Sequence, residues 1–351
     1  MKLLKSIFLF LNTKNKQFIL QPLEQAGVQS LYTEQKTSLL DNLFRTSSNV
    51  DNFSPLPPNN KNKFENVLEL IRIVHIPPTL FLCCSSALIT SPSLTTLLQP
   101  SFIVSTMDII LLMSASMVIN NIYDVETDKI NKPYSPIVTG EITKREAVGI
   151  AILLLGTSEY LSINFLSENL QFIIHLIILY INLYTPVFKK IIFVKNLSCS
   201  ILVTFSLFFT SLSCSKYPLI LNPNLDLLIV ACNLVFTGSL SNEILLDIRD
   251  YEGDKTSNIQ TLPIIFGKKT AWMSSFFILY AGLTVNIVKL YKLTNISIAG
   301  LFVLIMIPQV NKLYHIKNTN FSDNSIEKYM DQTKKTLFII LLSLSVISFH
   351  L

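Results

Sequence analysis

Glycine is scarce in this chain, nine residues in 351, and charged residues make up only 15%. So few glycines argue against the glycine-rich loops with which α/β proteins hold nucleotides. The charge content falls well below the roughly one quarter usual in a soluble domain. Cysteine is sparse too: Cys83, Cys84, Cys199, Cys214 and Cys232 are odd in number, lack zinc-type spacing and lie in or beside apolar stretches. That excludes a disulfide framework and reads as small packing residues. Disorder is excluded by the opposite imbalance, too much apolar side chain. With 50% hydrophobic residues, 23 of them Phe, and a mean hydropathy of +0.48, the composition is that of a polytopic membrane protein.

Residues 1–64 stand apart from the remainder. They are rich in Lys, Ser, Asn and Gln, include the Pro-containing stretch Phe53-Ser54-Pro55-Leu56-Pro57-Pro58, and hold no apolar run of spanning length. The opening MKLLKSIFLFLNTKNKQFIL carries four lysines and no acid around a short apolar core. Such a core is far short of the ~20 residues a transmembrane helix needs, and the pattern fits a targeting segment. From residue 65 onward, apolar stretches recur near 67–90, 98–121, 146–163, 170–187, 196–213, 225–246, 270–288, 296–313 and 336–351. Lipid leaves the backbone no partner but itself, so these stretches predict helices. The expected fold is all-α, a polytopic bundle of nine transmembrane helices, spanning residues 65–351.

Basic residues give the orientation. Sixteen lie in loops after even-numbered spans, whereas only Lys216, Lys289 and Lys292 follow odd-numbered ones. By the positive-inside rule the even loops face the cytosol, or the stroma or matrix of an organelle. The targeting-type N-terminus points to a plastid or mitochondrial inner membrane.

Two acidic clusters sit where spans end on that positive side: Asn120-Asn121-Ile122-Tyr123-Asp124-Val125-Glu126-Thr127-Asp128, and Glu243 to Asp254. On a helix, Asn120, Asp124 and Asp128 fall within roughly 80° of one another, and Glu243, Asp247, Asp250 and Asp254 within about 60°. Stacked like charges repel, and ionisable groups near a bilayer mark function by default. A divalent cation relieves the conflict. Mg²⁺ suits hard oxygen ligands and shares its remaining sites with water and substrate phosphates. Two carboxylate columns could then hold one diphosphate between them. Two solvated acidic loops without a ligand would give the same periodicity. The same-side cations Lys129, Lys132, Lys189, Lys190, Lys195, Arg249 and Lys255 favour a bound polyanion.

The segment NNIYDVETDKINKPYSPIVTGEIT, residues 120–143, resembles the first motif of the UbiA-type membrane prenyltransferases, and DIRDYEGDKTSNIQTLPIIFG, residues 247–267, resembles the second. Between them, Tyr184-Thr185-Pro186 with Lys189, Lys190 and Lys195-Asn196 is similar to the family's Tyr-then-basic stretch. The resemblance implies nine helices around a cavity that opens toward lipid and holds an allylic isoprenoid diphosphate. It implies Mg²⁺ as cofactor, with Asn120, Asp124 and Asp128 serving one ion and Asp247, Asp250 and Asp254 the other, Glu243 being a weaker candidate. Arg72, Lys132, Lys189, Lys190 and Arg249 would bind the diphosphate. Asp124, Asp128, Asp247, Asp250 and Tyr184 would be the catalytic set.

The implied reaction is prenyl transfer through an allylic carbocation to an electron-rich, aromatic acceptor of the quinone-precursor type. The run Asp124-Val125-Glu126 followed by Asn131-Lys132-Pro133-Tyr134 most resembles homogentisate prenyltransferases. Ser135 departs from the Arg usual in chlorophyll synthases, and the second motif is closer to naphthoquinone or archaeal-lipid relatives. A terpene cyclase acting on the diphosphate alone is the alternative enzyme. A transporter fits less well, since no repeat beyond the two acidic motifs is evident. Expected partners are the diphosphate, the acceptor and membrane lipid, with no nucleic acid; oligomeric state is not legible. His75, His175 and Trp272 read as packing or interfacial residues.

Overall fold

The computed structural model describes residues 61–216, 218–256 and 259–350, without the side chain of Lys190. The expected targeting segment, up to residue 60, and the Lys190 side chain therefore lie outside the described residues. The described part is helical, with no strand. Its nine long helices are α1 (Ile76–Thr90), α2 (Pro100–Tyr123), α3 (Lys144–Phe165), α4 (Glu168–Tyr184), α5 (Val194–Cys214), α6 (Leu225–Arg249), α7 (Lys268–Leu293), α8 (Ile296–Asn318) and α9 (Asp323–Ser348). Four short helices join them: Lys63–Leu70, Val125–Asn131, Tyr251–Thr256 and Leu262–Phe266.

Each predicted apolar stretch after the first is thus centred on one long helix. Seven segments are long and apolar enough to cross a membrane, the first of them Ile73–Thr90. Helix α4 is apolar but only 17 residues long. Helix α9 opens on a polar stretch, Asp323 to Lys335, and its apolar half begins only afterwards. Among the described residues seven segments thus qualify as crossings by length and composition, against the nine expected.

The first predicted span breaks in the middle. Residues 63–70 form their own helix, started by a reciprocal capping box between Asn62 and Glu65. Arg72 then adopts a left-handed backbone (φ 56°, ψ 52°), and α1 begins after a short 3₁₀ turn with proline in its first turn. Pro77 and Pro78 are the cause: proline has no N–H to donate inside a helix but fits its first turn.

Packing is closest between α6 and α7 and between α2 and α3. Small residues let the helices approach, as lipid-embedded bundles require when no hydrophobic effect drives helix against helix. Ser241 and Ser275 join α6 to α7 at 2.7 Å, and Ser86 and Ser211 join α1 to α5 at 2.5 Å. Gly282 on α7 faces Thr237 on α6 so closely that a Cβ there would stand 2.7 Å from the threonine Cβ. The last helix returns to the first: Ser345 Oγ donates to Ser85 O, Ser348 Oγ donates to Leu88 O, and Phe81 stacks on Phe338. Large apolar side chains such as Leu153, Phe172 and Phe277 remain on the outside, suited to lipid.

Trp272 is not part of an interfacial belt. It is buried against α8, where its indole N–H donates to Leu313 O at 2.8 Å. A buried indole needs such an acceptor. His175 meets Glu159 at 2.6 Å rather than packing on apolar neighbours, and His75 is exposed.

Gly282→Ala should overpack the α6–α7 contact, because β-branched Thr237 has little rotamer freedom to yield. The expected loss is about 1–3 kcal/mol, read as a lowered Tm in detergent. Gly300→Ala on α8, where a Cβ would meet nothing within 4 Å, should leave the Tm unchanged or raise it.

Candidate active site

Both acidic motifs run off the end of a long helix, and both break at their middle aspartate. Asp124 (φ −89°, ψ 7°) separates α2 from the helix Val125–Asn131. Asp250 (φ −84°, ψ 12°) separates α6 from the helix Tyr251–Thr256. These are bridge-region conformations, sparsely populated and frequent in active sites. Backbone hydrogen bonds nevertheless carry on across each break: Asp124 N donates to Asn120 O at 2.9 Å, and Asp250 N to Leu246 O, also at 2.9 Å. The unbroken helices expected from 3.6-residue periodicity are therefore interrupted at these two aspartates, and a short acidic helix follows each break.

The two short helices pack against each other. Gly253 of one lies on Asn131 of the other, and a Cβ on Gly253 would come within 2.2 Å of the Asn131 side-chain oxygen. The motifs, more than a hundred residues apart in sequence, thus meet directly. A cleft of about 480 Å³ opens beside the contact, lined by Tyr123, Asp124 and Glu126 of the first motif, Thr185 and Lys189 of the linking segment, and Thr256 and Ile259 beyond the second.

Cations are distributed among the carboxylates. Lys189 pairs with Asp124, Lys132 with Asp128 at 3.2 Å, Lys195 with Asp247 at 2.7 Å, and Arg249 Nε with Asp250 at 2.8 Å. Lys189 also lies within electrostatic reach of both Asp128 and Asp254, one from each motif. Two neutral partners complete the arrangement. Thr185 Oγ1 donates to Asn120 Oδ1 at 2.7 Å, and Asn196 Nδ2 donates to Asp247 Oδ2 at 2.8 Å.

The remaining carboxylate atoms are not satisfied. Asp128 and Asp254 are buried, and Oδ2 of each has no hydrogen-bond partner. Burial pushes the Asp254 carboxyl up to about 6 despite Lys195 and Lys189 nearby. It raises Asp128 as well, with Lys132 acting the other way. Orphaned buried carboxylate oxygens are costly, and hard oxygen donors of this kind fit Mg²⁺. Among the described residues, no three His, Cys, Asp or Glu side chains are close enough to hold an ion by themselves. Ligands from a phosphate and water would have to complete the shell, as is usual for Mg²⁺.

Other expected residues are less central. Arg249, besides its pair with Asp250, lies toward Asp323 and Glu327 at the start of α9. Arg72 sits at the bend before α1 and pairs with none of the motif carboxylates. Its neighbourhood meets the first motif through Leu70 O, which accepts from Asn121 Nδ2 at 3.5 Å. Lys190 closes the 3₁₀ turn Phe188–Lys190. Tyr184 is buried, with its hydroxyl 3.0 Å from Cys199 Sγ.

Three members were given no role in the site from sequence. Thr185 and Asn196 hold motif side chains in place, and Cys199 belongs to the site rather than to apolar packing. Their signal was present: Lys195, Asn196 and Cys199 share a face of α5 at helical spacing.

The fold and the motifs have counterparts among known proteins. The model of the UbiA prenyltransferase family matches residues 77–328. The digeranylgeranylglyceryl phosphate synthase of Saccharolobus solfataricus is 29% identical over 200 residues, which is 56% of this chain and 68% of that protein. A structure described as digeranylgeranylglyceryl phosphate synthase in membranes superposes with a TM-score of 0.60 at 23% identity, covering 82% of this chain and 99% of the other. A UbiA homologue from Archaeoglobus fulgidus bound to GPP and Mg²⁺ superposes with a TM-score of 0.57 at 19% identity, covering 79% and 99%. A family match over most of the chain, on top of two facing aspartate motifs at one end of a helical membrane bundle, shows that this protein belongs to the UbiA prenyltransferase family.

Proposed function

We propose that this prenyltransferase moves a prenyl group from an allylic isoprenoid diphosphate to a hydroxyl of a glycerol phosphate lipid precursor, with Mg²⁺ as cofactor. The observation that carries the diphosphate half is the meeting of the two motif helices, with Lys189 within reach of carboxylates on both. The acceptor half is supported by the relatives. Digeranylgeranylglyceryl phosphate names a glycerol phosphate bearing two geranylgeranyl groups, so the oxygen that receives the prenyl chain is a glycerol hydroxyl. An aromatic, homogentisate-type acceptor and a role in quinone synthesis find no such support, and neither does an organelle, since the named relatives are archaeal.

Asn120, Asp124 and Asp128 would hold one Mg²⁺, and Asp247, Asp250 and Asp254 the other. When bound, Mg²⁺ supplies positive charge that stabilises the departing diphosphate more in the transition state than before it. Lys189 and Lys132, now paired with carboxylates, are placed to turn to phosphate oxygens once those carboxylates engage the metal. Lys195 and Asn196 hold Asp247 in one orientation through its two oxygens. Thr185 does the same for Asn120. The apolar interior below the site accepts the prenyl chain and keeps water from the carbocation.

Incubation of the purified protein with geranylgeranyl diphosphate, geranylgeranylglyceryl phosphate and Mg²⁺ should yield a diether detectable by mass spectrometry. Hydrocarbon formed without acceptor would instead indicate a cyclase, and product only with an aromatic acceptor would overturn the glycerol reading.

Asp124→Ala and Asp250→Ala should each abolish turnover while leaving expression and membrane insertion intact. Retention of more than about a tenth of wild-type activity, only about 1.4 kcal/mol of barrier, would remove the two-motif assignment. Mg²⁺ together with inorganic diphosphate should raise the Tm of the wild-type protein, because the ions satisfy the orphaned oxygens of Asp128 and Asp254. The rise should shrink in Asp128→Asn and Asp254→Asn, and an undiminished rise in both would place the metal elsewhere.

A further inference from the structure

One helical turn deeper than the second-motif carboxylates, about 5 Å along the helix axes, lies another polar layer. On α5, Cys199 follows Lys195 by one turn, and on α6, Glu243 precedes Asp247 by one turn. The Tyr184 hydroxyl lies 3.0 Å from Cys199 Sγ, and the Glu243 carboxylate is near enough to that thiol to act on it electrostatically. Tyr184, Cys199 and Glu243 therefore cluster across α4, α5 and α6 beneath the first layer of Lys195, Asn196 and Asp247.

Glu243 differs from its neighbours. Asp124, Asp128, Asp247 and Asp250 each have a cation of their own, whereas Glu243 forms no ion pair among the described residues. Lys195, its nearest opposite charge, is already committed to Asp247. Glu243 is partly buried and lies one helical turn from Asp247 on α6. A diphosphate held at the first layer, with its prenyl chain directed into the apolar bundle, would carry its reacting carbon toward this second layer.

We propose that Glu243 is the general base of the transfer, taking the proton of the acceptor hydroxyl. This rests on the reading that the acceptor is an alcohol. The carbon–oxygen bond of the prenyl diphosphate breaks and its electron pair leaves with the diphosphate. A lone pair of the acceptor oxygen forms the new carbon–oxygen bond. The hydroxyl proton passes to the Glu243 carboxylate, and the products are ether and diphosphate. An alcohol that has captured a carbocation must lose its proton, and a pocket dry enough to spare the cation from water provides no water to take it. Tyr184 and Cys199, hydrogen-bonded to each other, place a polar wall beside the Glu243 carboxylate. General-base assistance of this kind is typically worth about 10²–10⁴-fold.

The test compares wild type, Glu243→Gln and Glu243→Asp in the diether assay, alongside calorimetric binding of geranylgeranyl diphosphate with Mg²⁺. Glu243→Gln should lower kcat by more than about 100-fold, with KM for both substrates and the Mg²⁺-dependent Kd changed by no more than about threefold. Glu243→Asp, which restores a carboxylate, should recover at least about tenfold over Gln. A Gln variant with kcat within about threefold of wild type would overturn the inference, the proton then leaving by another route. Loss of Mg²⁺-dependent binding in both variants would assign Glu243 to the metal layer and also overturn it. If the wild-type protein itself forms no diether, the acceptor reading fails and takes this inference with it, a result visible before any variant is compared.

Discussion

Everything at the working end of this bundle follows from a concentration of negative charge that has to be neutralised. Five aspartates from two motifs converge there, three of them buried. Removing one member of a buried ion pair typically costs about 3–5 kcal/mol, so the arrangement persists only while nearly every carboxylate is matched. Four are matched by Lys189, Lys132, Lys195 and Arg249. The two unpaired oxygens, on Asp128 and Asp254, lie one in each motif. A site so nearly balanced by its own cations, yet short at two symmetric points, is poised to exchange internal ion pairs for metal and phosphate.

The membrane fold exists to bring these charges together without exposing them to hydrocarbon. Serine and glycine contacts set the distances between helices, and the short acidic helices that follow the breaks at Asp124 and Asp250 pack against each other. The Gly253–Asn131 contact fixes their separation. Beneath them lie Tyr184, Cys199 and Glu243, and farther along α6 the buried apolar residues Leu240, Val235 and Leu234. A diphosphate with a long hydrocarbon tail has the same polarity profile.

Much of this was legible in the sequence, and what was not has physical reasons. Apolar run length located all nine long helices, and the carboxylate spacing, with lysines on the same side, located the site. The helix breaks were not visible, because Asp124 and Asp250 have neither Pro nor Gly beside them; tertiary contacts between the motifs impose the bend. The break at Arg72 was visible in Pro77-Pro78, but the apolar run masked it. Cys199 looked like packing because a thiol carries no charge to betray its neighbours. Trp272 looked interfacial because position along a span does not reveal which face a residue occupies. The acceptor was least legible of all, since the first motif resembles enzymes that prenylate aromatic rings while the relatives make glycerol lipids.

The central claim is that the two motifs form one binding site and not two. A double-mutant cycle on Mg²⁺-dependent binding of geranylgeranyl diphosphate, measured by calorimetry for wild type, Asp128→Asn, Asp254→Asn and the double variant, tests it most directly. The account predicts strong coupling: each single change weakens binding severely, and the double change weakens it by clearly less than the sum. Additive losses, or a single variant that binds like wild type, would contradict it.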